Sequence, residues 1–225
     1  MTEHLGTYDY EYIFGWKLKW GIREKWNSQR FSWPLWWLIL AFSILKEWIY
    51  NINLHRRFIT QSACEKLVHA LVSSRLDYAN AILAGLPNNR LKHLQNIQNI
   101  AARLVTSTPK YDHISPVLRR LHWLPISARV EFKVICLTFR IINGLAPAYM
   151  RDLVCLKQTT RTLRSANKML LDIPKTRTKM YGDRAFSVIA PRLWNELSQS
   201  LREENNFSKF KKSLKTYLFK RAYGI

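Results

Sequence analysis

Apolar positions recur at helical spacing from Thr60 onward, and that rhythm organises most of the chain. Leu67, Val68, Leu71 and Val72 fall on one helical face behind a capping-box match, Ser62-Ala63-Cys64-Glu65. A second short helix holds Ala79, Ile82 and Leu83, and Gly85 with Pro87 stops it. Asn88 is placed to cap a longer helix with Leu91, Leu94, Ile97, Ala101, Leu104 and Val105 on its apolar face. Arg90, Lys92, His93, Gln95, Asn96, Gln98 and Arg103 make up its polar face. Ser115-Pro116 predicts a cap followed by proline at the start of a short helix to Leu121. After the break at His122-Trp123-Leu124-Pro125, Ser127 opens a helix to Asn143. It turns Val130, Val134, Leu137, Thr138 and Ile141 inward and ends at Gly144. A short helix follows Pro147 and ends near Cys155. The last helix, opened by Ser208, carries Phe207, Phe210, Leu214, Tyr217 and Leu218 on one face and Lys209, Lys211, Lys212, Lys215 and Lys220 around the rest.

Two stretches break the rhythm. Phe31–Leu45 is the most apolar run, but it contains Pro34, and extending it brings in Lys46 and Glu47. A membrane span needs about 20 apolar residues, so a short or tilted span, an interfacial helix and a buried helix all stay open. Trp33, Trp36, Trp37 and Trp48 at its edges suit a membrane interface. Leu163–Pro174 lacks helical spacing and reads as a strand or extended segment. The expectation is a mainly α, bundle-like fold with a basic irregular or extended segment near residues 160–184. Its parts are an N-terminal segment over 1–50, a helical region over 51–155 and a basic helical region over 156–225.

Charge changes this picture more than composition does. The 225 residues carry a net charge of +21, far beyond what solubility requires, and 48% hydrophobic content is enough to bury a core. Such an excess favours polyanions, with RNA or DNA first and an anionic membrane surface second. Residues 156–225 hold 16 Lys or Arg against 5 acids, whereas residues 1–57 hold 8 against 5. Cys64, Cys136 and Cys155 are odd in number and widely spaced, which points to free thiols, with Cys64 and Cys136 packed in apolar helical patterns.

Catalytic patterns are not found. No Gly-rich phosphate loop, GxSxG or HExxH occurs, the aspartates form no pair for two-metal chemistry, and the six His make no ligand cluster. No cofactor, metal site or small-molecule substrate is expected, nor enzyme activity from this chain alone. Glu203-Glu204 reads as a solvated face, and Asp77 and Asp183 as caps or ion-pair partners.

The most informative stretch is Lys175–Leu197. Its first half sets Lys175, Arg177, Lys179 and Arg184 around Thr176, Thr178 and Tyr181. Its second half is apolar, with Phe186, Val188, Ile189, Leu193, Trp194 and Leu197. A basic, hydroxyl-rich loop feeding an anchored helix suits gripping phosphates from a rigid base. This stretch also belongs to a larger likeness. The segments FITQSACEKLVHALVSSRLDYANAILAGLP (58–87), LQNIQNIAARLVT (94–106), YDHISPVLRRLHWLPISARVEFKVICLTFRIINGLAPAYM (111–150) and RSANKMLLDIPKTRTKMYGDRAFSVIAPRLWNEL (164–197) keep a common order and spacing. They resemble the C-terminal region of reverse transcriptase polyproteins from non-LTR retrotransposons (LINEs) of the jockey and chicken-repeat type. The resemblance runs from about Asn51 to Phe219, with Ala79 where the family's LDYCN has Cys.

The resemblance implies a polymerase thumb and a basic helical extension beyond it, without the palm aspartates or the endonuclease, as in a 5′-truncated element copy. A thumb holds duplex by its backbone, which needs Lys and Arg but no base readout. The implied phosphate contacts are Arg161, Arg164, Lys168, Lys175, Arg177, Lys179 and Arg184. Tyr181 and Trp123 are the candidate stacking residues, Trp123 also reading as a core or hinge aromatic, and Trp194 is assigned to packing. Residues 1–50 match no part of that family. Two other readings stand beside this one: a membrane-associated protein anchored by residues 31–50, or a gene model with no functional product. The compartment follows the reading, nuclear or cytoplasmic if the chain is soluble and membrane if residues 31–50 span.

Overall fold

In a computed structural model, residues 33–157, 169–178 and 181–224 are described, with side chains from residue 44 onward. The chain divides into two units, Met1–Leu40 and Ala41–Ile225. Of the first, the described part is the opening of helix α1 (Trp33–His55). The second is mainly helical: α2 (Gln61–Val68), α3 (Ser74–Asp77), α4 (Asn88–Thr106), α5 (Ile114–Arg120), α6 (Ile126–Ile142), α7 (Ala148–Arg151), α8 (Phe186–Asn195), α9 (Gln199–Arg202) and α10 (Phe207–Tyr223). Within it, buried residues on both sides of 155/156, Val154 and Leu171 among them, share one core.

Among the described residues no helix is long and apolar enough to cross a membrane. Of the three readings left open for this run, the membrane span is therefore not favoured. The helix continues past the apolar run into exposed Lys46 and Glu47, and Leu45, Ile49 and Ile52 are buried in the protein core.

Helix α6 is the hub. Its first turns place Ile126 and Val130 in one core with Ile49, Val68, Val72, Ile97 and Val105. Its later turns place Val134, Ile135 and Phe139 in a second core with Leu171, Trp194, Phe210 and Leu218. A one-sided amphipathic reading therefore missed Ile135 and Phe139, which are buried along with Val130, Val134, Cys136, Thr138 and Ile141. Phe139 stacks on Phe210 with ring centroids 4.3 Å apart, and Trp194 sits 5.9 Å from Phe210. Trp194 is fully buried, as its assignment to packing requires.

Several helix starts differ from the local cap signals. Thr60 caps α2 by accepting from the Ala63 N–H, in place of the Ser62–Glu65 box. Pro87, His113 and Pro125 precede α4, α5 and α6, so Asn88, Ser115 and Ser127 lie inside their helices without acting as caps. For α6 the orphan Ile126 N–H goes to Gln95 Oε1 of α4 at 2.9 Å. Gln98, expected on the polar face of α4, is buried and donates Nε2 to the Leu124 carbonyl at 2.8 Å. Asn206, not Ser208, caps α10, accepting from the Ser208 and Lys209 N–H groups. Between α2 and α3 a π-helical stretch, His69–Ser73, shifts the buried stripe to Cys64, Val68, Val72 and Leu76 and leaves Leu67 exposed.

Candidate nucleic-acid interface

The basic segment is held at its base by backbone pairing. Leu156 and Leu171 form an isolated antiparallel bridge; the Lys157 N–H donates to Leu170 O and the Asp172 N–H to Cys155 O, both at 2.9 Å. On the other side Asn195 imitates a strand. Its Oδ1 accepts from the Leu171 N–H and its Nδ2 donates to the Leu171 carbonyl, each at 2.9 Å. Trp194 Nε1 donates to Met169 O at 3.0 Å. The extended segment expected over Leu163–Pro174 is thus, in its described part, a single strand-like pairing clamped by two consecutive side chains of α8.

From that clamp the chain enters the Thr-rich turn. Thr178 Oγ1 accepts from the Gly182 N–H at 3.0 Å, and the Asp183 N–H donates to the Thr178 carbonyl at 3.1 Å. Thr176 Oγ1 donates to Asp183 Oδ1, which also takes Arg192 Nη2 at 3.3 Å, so the turn is tied to α8. A side chain at Gly182 would meet Thr176 Cβ and Thr178 Oγ1 at 3.0 Å, which keeps this crossing tight. Asp183 is the ion-pair partner expected of it, and Asp77 likewise pairs with Arg129 at 3.0 Å.

The expected contact residues divide into three groups. Lys175, Arg177 and Tyr181 are exposed on this anchored turn, Tyr181 at 81%. Arg184 is half-buried; its stem lies against Gly85, and its Nε is buried without a hydrogen-bond partner among the described residues. Arg161, Arg164, Lys168 and Lys179 lie outside the described residues. Of its two readings Trp123 takes the core one, and its place among the stacking residues is corrected. Only 4% exposed, it packs its ring edge against His69 at 5.3 Å, and its carbonyl accepts from Tyr223 Oη at 2.6 Å. A ring buried to this extent is not available for stacking on a base.

Sequence reasoning noted the lysines of α10 without placing them in a site, and passed over Arg119 and Arg120 of α5. The α10 cations differ in how far they are engaged. Lys209 pairs with Glu204 at 2.8 Å, Arg221 pairs with Glu131 and Glu196, and Lys211 lies over the Phe207 ring. Among the described residues no carboxylate pairs with Lys212, Lys215 or Lys220, all three exposed. The Lys209 hydrogen bond, helped by backbone N–H groups of Asn206 and Asn205, holds the Glu204 carboxyl below its usual range. Among the described residues no group of His, Cys, Asp and Glu is arranged to hold a metal ion. Burial pushes the Cys136 thiol up to about 11, against the opposing pull of Lys211, Arg140 and Lys133, so its thiolate is strongly disfavoured.

No protein-family model matches the chain, and no curated protein or solved structure matches it either.

Proposed function

We propose that this chain is a non-catalytic, helical remnant of a retroelement reverse transcriptase that holds RNA or DNA by its phosphate backbone without reading sequence. The observation that carries the reading is the pairing of rigidity with charge. Lys175, Arg177 and Tyr181 project from a turn whose base is held by two backbone hydrogen bonds to Cys155 and Lys157 and by the two-bond Asn195 clamp on the buried tryptophan helix. Preorganised cations lose less side-chain and loop entropy on binding than cations on a free tail. The net charge of +21 and the resemblance of residues 51–219 to a polymerase thumb support the same reading.

Fluorescence anisotropy with labelled RNA and DNA over a salt series tests it. With about five to seven phosphates neutralised, the log–log slope on duplex DNA is expected near −4 to −6. A slope near zero, or purified chain that turns over nucleotides, rejects the reading.

A further inference from the structure

Helix α5 and the end of α10 flank an open cleft of about 410 Å³ lined by Ser115, Pro116, Arg119, Arg120 and Tyr223. Arg119 and Arg120 are exposed, and among the described residues neither makes an ion pair. Tyr223 is fixed: its hydroxyl is spent on the Trp123 carbonyl at 2.6 Å, and its ring packs against Phe219 with centroids 4.7 Å apart. One wall of the cleft is therefore a rigid aromatic surface and the other carries two guanidinium groups with open donors.

The lysines of α10 lead to this cleft. Lys220 precedes Tyr223 by one helical turn on the same side, and Lys212 and Lys215 continue along the exposed side away from it. From Lys212 to Lys220 the helix rises about 12 Å, enough to reach more than one phosphate of an extended backbone. Arg forks are suited to bidentate phosphate contacts and lysines to point-charge contacts along a backbone. The aromatic wall suits an unstacked base, which a single strand presents and a duplex does not.

We infer that the α5–α10 cleft, with Lys212, Lys215 and Lys220 leading into it, is a binding groove for single-stranded nucleic acid, Arg119 and Arg120 taking a phosphate on the wall that faces Tyr223. The inference rests on the backbone-binding reading above and places a second contact surface apart from the Thr-rich turn in sequence. It follows the pattern of an electrostatic groove with one aromatic wall.

The test uses the full chain and a short labelled oligo(dT), with R119A/R120A and K175A/R177A measured beside the parent. All four positions are exposed, and circular dichroism melts check that the folds are equal. R119A/R120A is expected to weaken oligo(dT) binding about tenfold and to flatten the salt slope by about one to two. R119K/R120K is expected to recover part of the loss, and unlabelled duplex to compete less well than unlabelled single strand. Oligo(dT) binding by R119A/R120A equal to that of the parent overturns the groove while leaving backbone binding intact. Equal competition by duplex overturns its single-strand preference. A parent chain that binds neither form at low salt overturns both the groove and the reading beneath it.

Discussion

Asn195 and Leu171 face each other as two strands would, the side-chain amide of one satisfying both the N–H and the C=O of the other at 2.9 Å. Leu171 is buried at 1% exposure, so those two backbone groups have little water to fall back on. This contact joins the basic segment to the second core. Replacing Asn195 by Ala is expected to lower stability by about 2–4 kcal/mol, since two polar groups lose their partners together. Urea denaturation measures the loss, and hydrogen exchange at the Leu171 amide should accelerate by more than that at α4 amides. Unchanged exchange at Leu171 would contradict the clamp.

Gln95 does for α6 what a local cap residue does for other helices. Truncating it to Ala leaves the Ile126 N–H without its acceptor, and a cost of about 0.5–2 kcal/mol is expected, as for loss of an N-cap. Ser127→Ala, by contrast, is expected to change stability by less than about 0.5 kcal/mol, because Ser127 is exposed and lies within the helix. Paired thermal melts of the two variants separate the long-range cap from the local one.

Gly85 sits at φ +71°, and an added Cβ would come within 2.7 Å of Ile189 Cδ1 and 2.8 Å of Arg184 Cγ. Gly85→Ala is expected to cost about 1–3 kcal/mol from the left-handed backbone and from displacing those side chains. Gly144→Ala, also at positive φ (+69°) but with nothing within 4 Å, should pay only the backbone part. The difference between the two variants in a denaturant series isolates the packing contribution of Ile189 and Arg184 together.

Alkaline pH should destabilise the fold through Cys136 and Tyr223. Burial raises both groups, holding the thiol at about 11 and the phenol above its ordinary value, so the folded state retains protons that the unfolded chain releases. The stability they contribute is present in full below the unfolded values, 9.0 for the thiol and 10.0 for the phenol, and is lost as pH rises through the folded ones. Cys136→Ala should weaken the pH dependence between 9 and about 11, read as the change in denaturation midpoint. A wild-type midpoint that stays flat over that window would contradict it.

The thiols give an independent check on burial. Cys155 is exposed while Cys64 and Cys136 are buried, so a thiol reagent at neutral pH should label Cys155 quickly and the other two only as the chain opens. Rapid labelling of all three under native conditions would be incompatible with the two cores.

Much of this fold was legible along the chain. The faces of α4 and α10 were readable because burial on one side of a helix leaves an apolar period of 3.6 residues: Leu94, Ile97, Ala101 and Val105, then Phe210, Leu214 and Leu218, are all buried. The thiols of Cys64 and Cys136 followed from the same periodicity, and the excess of cations needed only counting. The second face of α6 was not readable, because a helix packed on two cores loses the polar stripe that marks direction. Nor was the inward turn of Gln98, whose reason is a carbonyl at Leu124, twenty-six positions away.

What the sequence determined by itself was where helices form and which side of the simple ones turns inward, since both depend on neighbours within a turn or two. What only the tertiary structure decided was which polar groups complete them: Gln95 at the start of α6, Asn195 beside Leu171, Tyr223 on the Trp123 carbonyl. Hydrogen-bond partners distant along the chain leave no period to read. Their distance in space is set by packing, and packing also decided between the stacking and the core reading of Trp123, for the core, while leaving Arg119, Arg120 and Tyr223 around one cleft.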